Sequence, residues 1–280
     1  MTAIIDKFIA KKYITNYLEE DLGWGDITTD LLIDQQVSAR AYIKAKENGV
    51  IAGLPAAALV YEILDPCIEF FPLVKDGASV EAQTIVAELK GPMNPILKGE
   101  RLSLNLLQRM SGIATITRRL TNLIKPYKAE LTDTRKTAPG LRYFDRYAVA
   151  VGGGVNHRYN LADAVLIKNN HIKLAGGIRQ ALEKAHNNLS HTMKVEIEVE
   201  SLEQLKEALN YEADIIMLDN MPIEMMRQAV EITNGRALLE ASGNIGENII
   251  ADIAATGVDI ISSGALTHSV KALDINMRIE

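Results

Sequence analysis

A single cysteine, Cys67, stands in 280 residues, which excludes an internal disulfide and any zinc site built on cysteines. Nowhere do eighteen apolar residues run together. The opening stretch, MTAIIDKFIAKKYITNYLEEDLG, mixes Asp, Lys and Glu into its apolar positions, so neither a membrane span nor a secretory signal is expected. These two absences predict a cytoplasmic protein. Net positive charge is missing as well: the formal charge is -6, which argues against a surface built for nucleic acid. No dinucleotide fingerprint occurs either. The GGG at 152–154 lacks the strand-turn-helix setting of such a site and reads as a flexible or closely approached loop.

What is present is the composition of a folded protein, 48% hydrophobic and 24% charged, in a length that suits two unequal domains. Apolar residues at helical spacing predict a helix over Ile5 to Leu22, and GWGDITTD after it predicts a loop. Ala39 to Lys46 and Val50 to Ala52 read as strands around the Asn48-Gly49 turn, Cys67 to Val74 and Thr84 to Leu89 as two more, with a helix over Leu54 to Leu64 between the pairs. This is a small α/β sandwich. Helices over Leu97 to Met110 and Ile113 to Ile124 follow Pro92 and Pro95.

Beyond Lys128 short apolar runs alternate with amphipathic helices: AELTD, AVLIK, VEIEVE, DIIMLD, ALLEAS and DIISSG. Six βα units in a row predict a parallel sheet closed, or nearly closed, into an α/β barrel. At the C-terminal ends of the runs stand Arg135, Lys168, Glu198, Asp219, Ser242 and Gly264, at the end where barrels build their sites. Around them the chain is locally cationic. From Arg135 to Arg158 there are Arg135, Lys136, Arg142, Arg146 and Arg158 against one acid, Asp145, which predicts small anionic ligands rather than a polyanion.

The blocks TRKTAPGLR, GGGVNHR, IKNNH, IEVE, IIMLDN, EASGN and SSGALTHSVKALD, with EDLGWGDITTD and GERLSLNLLQRMSGIAT before them in matching order, resemble those of the quinolinate phosphoribosyltransferases. The resemblance covers nearly the whole chain. It implies an N-terminal α/β sandwich over residues 1–112, joined by the tail 269–280, and an incomplete TIM-like barrel of the type II phosphoribosyltransferases over 113–268. It implies a reaction in which quinolinate and phosphoribosyl pyrophosphate give nicotinate mononucleotide, pyrophosphate and carbon dioxide in NAD biosynthesis, with magnesium. It also implies a homodimer, or a hexamer built of such dimers, in which the sandwich of one subunit covers the barrel mouth of the other.

Quinolinate carries two adjacent carboxylates, which suit the planar fork of arginine. The resemblance places Arg135 and Arg158 in that pocket with His157 and Lys136 completing it, and brings Arg101 from the partner subunit. Phosphates call for backbone N-H groups at loop and helix starts together with lysine charges. Ser242, Gly243, Asn244 and Ser263, Gly264, Ala265, after the last two strands, are the 5-phosphate candidates. Lys136 and Lys168 then serve the diphosphate and the reacting centre, with Thr134 and His171 as further substrate contacts. Magnesium takes oxygen ligands, and Glu198 and Asp219 supply them. Alternation puts Glu196, Glu198 and Glu200 on one side of their strand, and the resemblance selects Glu198.

Two positions depart from the family pattern. Asn169 stands where an acid is more usual, which removes a negative charge near Lys168, and Ser263 replaces an apolar residue or glycine. His186 and His191 read as surface residues, while Met217, Met221, Met225 and Met226 read as packing. Rival readings are the phosphoribosyltransferase-like protein of molybdenum transport, a nicotinate phosphoribosyltransferase without decarboxylation, and a catalytically silent phosphate-binding paralogue. The intact Lys168, the three arginines, and the presence of Glu198 and Asp219 count against each in turn.

Overall fold

In SARAYIKA the small and apolar residues Ala41, Ile43 and Ala45 alternate with polar ones, and the segment forms a strand buried on one face. It is the first of twelve in the computed structural model of the chain, which describes residues 4–280. Strands β1 (Ser38–Ala45), β2 (Gly49–Val50), β3 (Glu69–Pro72), β4 (Ser79–Val80) and β5 (Ile85–Pro92) come first. Then follow β6 (Glu130–Thr132), β7 (Val165–Ile167), β8 (Val195–Val199), β9 (Ile215–Asp219), β10 (Leu238–Ser242) and β11 (Ile260–Ser262), and β12 (Ile275–Ile279) comes last.

The chain forms two compact units. One holds the residues up to Arg118 together with Thr137–Gly153 and Ser269–Glu280; the other holds Arg119–Lys136 and Gly154–His268. The boundary expected after residue 112 lies inside a helix. Instead of two helices meeting near Ser111, one runs unbroken from Met93 to Ile124. Gly112 marks a close approach rather than a break: a Cβ there would fall 2.2 Å from the Lys271 carbonyl oxygen of the returning tail.

In the first unit β12, β1, β5 and β3 form an antiparallel sheet in that order, and the tail registers on β1 with Met277 opposite Ile43. Ile43, Leu89, Ile96, Leu107 and Tyr61 form its core, each worth about 1.5–3 kcal/mol of burial for the aliphatic side chains. The Tyr61 hydroxyl meets Ser103 Oγ at 2.7 Å, so the buried phenol is satisfied. The segment GWGDITTD is not a loop throughout. Asp26 caps a short helix, Ile27–Leu32, by accepting from the Thr29 N-H at 3.0 Å, an N-cap signal the glycines masked. The glycine run ends the helix Arg142–Gly152. Gly153 takes φ 100°, and a Cβ at Gly152 would lie 2.5 Å from Thr117 Cβ, which is the closely approached reading rather than the flexible one.

In the second unit six strands run parallel in the order β6-β11-β10-β9-β8-β7, the α/β architecture expected. Among the described residues no ladder joins β7 to β6, so the barrel is incomplete; Val155 makes an isolated parallel bridge to Thr132 instead. All five residues of β8 are buried, as a strand covered on both faces must be. Met217, Met221 and Met226 are buried and Met225 is half-buried, while His186 and His191 are exposed. Among the described residues no helix is long and apolar enough to cross a membrane.

Candidate active site

A cavity of about 580 Å³ opens at the C-terminal ends of the parallel strands. Thr134, Arg135, Lys136, His157, Arg158, Lys168, Glu198, Asp219, Ser242, Gly243 and Asn244, all expected from the sequence, line it. Leu166, Met217, Asn220, Glu240 and Ser262 line it as well. Arg142 and Arg146 do not, because both sit on the helix Arg142–Gly152 of the other unit. There Asp145, the one acid of the basic run, is fully buried and holds Arg109 through two bonds of 2.7 and 2.9 Å.

The cationic wall hangs from Asp133, a buried residue one position before Thr134 that sequence reasoning passed over. Its carboxylate accepts from Asn156 Nδ2 at 2.7 Å and from the His157 backbone N-H at 2.8 Å, which fixes the loop after the glycines. His157 Nε2 lies 3.2 Å from Glu196 and 3.4 Å from Glu240, two buried carboxylates, each with one oxygen that has no partner. Burial works against a charged ring, but the bonds to Glu196 and Glu240 outweigh it and push the imidazole up to about 10. The Arg158 N-H also points at His157 Nδ1 from 2.8 Å, a contact in competition with a proton on that atom. The two carboxylates tip that competition toward the proton. Burial raises the carboxyl of Glu196, with His157 pulling the other way.

Arg158 Nη1 donates to the Ala164 carbonyl at 2.8 Å, which aims its guanidinium. Burial first, and then the charge of Arg135 beside it, lower the proton affinity of Arg158. Arg135 Nε is itself buried and unpartnered. Two guanidiniums lining one cavity in this way form a socket for negative charge.

On the opposite side Lys168 Nζ donates to Glu198 Oε1, so the lysine and the acid expected at the reacting centre are paired. Lys168 is the N-cap of the helix Asn169–Ala175, where its N-H donates to His171 Nδ1 at 2.9 Å. His171 therefore props the lysine backbone and is absent from the cavity lining. Asn169 pairs with Glu200 at 2.6 Å, and Glu200 is exposed while Glu196 and Glu198 are buried. Asp219, at the end of β9, lies in register with Ser242 on β10. Gly243 and Asn244, both in the cavity lining, turn through φ 110° and 47°, a pair with positive φ.

The second phosphate candidate sits differently from the expectation. Ser262 lines the cavity, whereas Ser263 is buried and turned away, donating to the Ile245 carbonyl at 3.2 Å. Gly264 lies under the lysine instead: a Cβ there would meet Lys136 Cδ at 2.8 Å. Thr267 Oγ1 donates to the Lys136 carbonyl at 2.9 Å, and the Lys136 N-H to Thr134 Oγ1 at 3.1 Å, so the base of that lysine is fixed on both sides. Ala265 starts the short helix after Gly264, outside the lining, and Arg101 is exposed on the helix Met93–Ile124. Asn220 and Glu240 were legible only in part. Asn220 follows an expected acid, but nothing in the residue type separates it from turn chemistry.

An incomplete α/β barrel whose strand ends join paired arginines and lysines to carboxylates and glycine-bearing loops defines a transferase class that handles phosphorylated, anionic substrates. The model of the quinolinate phosphoribosyl transferase N-terminal domain matches residues 26–111, and that of the C-terminal domain matches residues 113–278. The chain belongs to that family. It is 43% identical over 282 residues, all of this chain and 95% of the relative, to a Synechocystis protein named a probable carboxylating nicotinate-nucleotide pyrophosphorylase. A chloroplastic protein of Arabidopsis thaliana with the same enzyme name is 43% identical over 96% of this chain and 82% of its own length. Among solved structures, the nicotinate-nucleotide pyrophosphorylase of Francisella tularensis superposes with a TM-score of 0.94 at 42% identity, covering 100% of this chain and 99% of that one.

Proposed function

We propose that the protein is a decarboxylating quinolinate phosphoribosyltransferase of NAD biosynthesis, making nicotinate mononucleotide, pyrophosphate and carbon dioxide from quinolinate and phosphoribosyl pyrophosphate. One observation carries the choice of base: Arg135 and Arg158 line the same cavity, the charge of Arg135 is felt by Arg158, and Arg135 keeps a buried Nε without a partner. Two guanidiniums in one cavity match two adjacent carboxylates, and a base with one carboxylate leaves one of them uncompensated.

Arg135 and Arg158 hold the dicarboxylate with the ring nitrogen toward Lys168 and Glu198, and His157 adds positive charge behind them. Lys136 and the Ser242–Asn244 loop hold the phosphates. The C1–O bond of the ribose breaks as pyrophosphate leaves, and the pyridine nitrogen supplies the electron pair for the new C1–N bond. Glu198 stabilises the positive charge that grows on the ribose between these events. The alkylated nitrogen is cationic, so the bond from C2 to its carboxylate breaks with the electron pair left on C2, which then takes a proton from solvent. Arg135 and Arg158 orient that carboxylate. The donor set fits magnesium: Glu198 and Asp219 present carboxylate oxygens to the cavity that holds the phosphate loop, and the metal would supply charge neutralisation for the diphosphate.

The working form in this reading is a cytoplasmic homodimer with Arg101 entering the neighbouring site. Support comes from the N-terminal helices and the turn between them, where Phe8, Trp24, Leu31 and Leu32 are all at least 75% exposed, an apolar surface that calls for a cover. Mixing subunits tests it. Arg101→Ala and Glu198→Ala are each inactive alone, and the mixture regains activity because a hybrid dimer carries one intact site; a mixture as inactive as its parts overturns the shared site. Direct titration tests the base: quinolinate binds more tightly than nicotinate, and the reverse order overturns the assignment.

A further inference from the structure

Asn220 directly follows Asp219 at the end of β9 and is exposed on the cavity wall. Its φ of 51° is left-handed, a conformation asparagine tolerates better than most residues. The turn folds the side chain back, so that Nδ2 donates to Asp219 Oδ1 at 3.1 Å. The backbone N-H meanwhile donates to the Ser242 carbonyl at 2.9 Å, at the end of β10. The amide oxygen lies against the next residue of that loop: a Cβ on Gly243 would fall 2.1 Å from Asn220 Oδ1 and 2.5 Å from Cγ. Of the two amide orientations only this one puts an N-H on the carboxylate. One side chain thus touches the carboxylate at one strand end and the glycine of the phosphate loop at the next.

We propose that Asn220 is a positioning residue that locks the Asp219 carboxylate and the Ser242–Asn244 loop into one geometry, so that the diphosphate and 5-phosphate ends of phosphoribosyl pyrophosphate are gripped together. The inference rests on the reading of Asp219 and that loop given above. Gly243 then serves two purposes, since its φ of 110° and the space for the amide both exclude a side chain.

Asn220→Gly is the clean test, because glycine keeps the left-handed turn and the backbone bond to Ser242 while the amide is lost. Steady-state kinetics are paired with calorimetric titration of phosphoribosyl pyrophosphate in magnesium, which needs no turnover, and Asp219→Ala is measured alongside. The expected result is a loss of about 10- to 100-fold in phosphoribosyl pyrophosphate affinity, the usual effect of removing a group that orients a metal-binding carboxylate. The KM for quinolinate and the melting temperature stay near wild type. Asn220→Gly with wild-type affinity, while Asp219→Ala is impaired, overturns the inference alone. Equal loss for both substrates with a lower melting temperature also overturns it, because that is a merely structural role. If Asp219→Ala binds phosphoribosyl pyrophosphate normally, the reading of Asp219 falls first and the inference with it.

Discussion

Arg135→Ala separates the two substrates. Its buried Nε has no protein partner, and its charge burdens Arg158 in the free protein. With quinolinate bound the same group supplies a charge-assisted hydrogen bond worth about 1.5–3 kcal/mol. At about 1.4 kcal/mol per decade the KM for quinolinate rises by roughly 10- to 150-fold. The KM for phosphoribosyl pyrophosphate stays within about threefold, because uniform binding of the other substrate is untouched. The melting temperature does not fall, since the variant relieves a like-charge contact. Arg135→Lys restores charge without the fork and recovers part of the loss. Initial rates with each substrate varied in turn, and a thermal melt of each variant, give all three readouts. Equal rises in both constants, or a rise for phosphoribosyl pyrophosphate alone, refute the assignment of Arg135 to the dicarboxylate.

Other perturbations probe the supports. Asp133→Ala strands two donors, the Asn156 amide and the His157 N-H, at a cost of about 1–3 kcal/mol each. That lowers the melting temperature by several degrees in calorimetry, and an unchanged melt contradicts the anchoring role. The raised affinity of His157 for its proton means that the ring stays charged across neutral pH, and its NMR signals do not titrate between about pH 5.5 and 8.5, where a solvent histidine would. Its contribution to stability is complete below the ordinary value of about 6.5 and is lost as pH rises through about 10; a midpoint near 6.5 refutes the effect of Glu196 and Glu240. Gly264→Ala puts a methyl 2.8 Å from Lys136 Cδ and 2.9 Å from His268 Cδ2, an overpacking of about 1–3 kcal/mol. The KM for phosphoribosyl pyrophosphate rises while that for quinolinate holds; unchanged kinetics contradict the placement of Lys136.

The strand ends were legible because a polar residue closing a short apolar run has only one place to go in a parallel barrel, and Lys168, Glu198, Asp219 and Ser242 all line the cavity. Glu196 was not separable from Glu198, since both face the same way; the histidine that meets Glu196 comes from a distant loop. Asp133 was passed over because its partners, Asn156 and His157, lie more than twenty residues away, beyond the helix Arg142–Gly152. The long helix Met93–Ile124 was split at Gly112 because the tail that needs the glycine arrives at the far end of the sequence. Ser262 and Ser263 are neighbours of one type, and only the Ile245 carbonyl decides which of them turns inward.

One stoichiometry defines the reaction. With quinolinate labelled at the 2-carboxyl group, phosphoribosyl pyrophosphate and magnesium, the protein releases one labelled carbon dioxide for each nicotinate mononucleotide formed, and the same reaction with nicotinate as the base is far slower. No mononucleotide above background from quinolinate, or a product that keeps the labelled carboxylate, contradicts it.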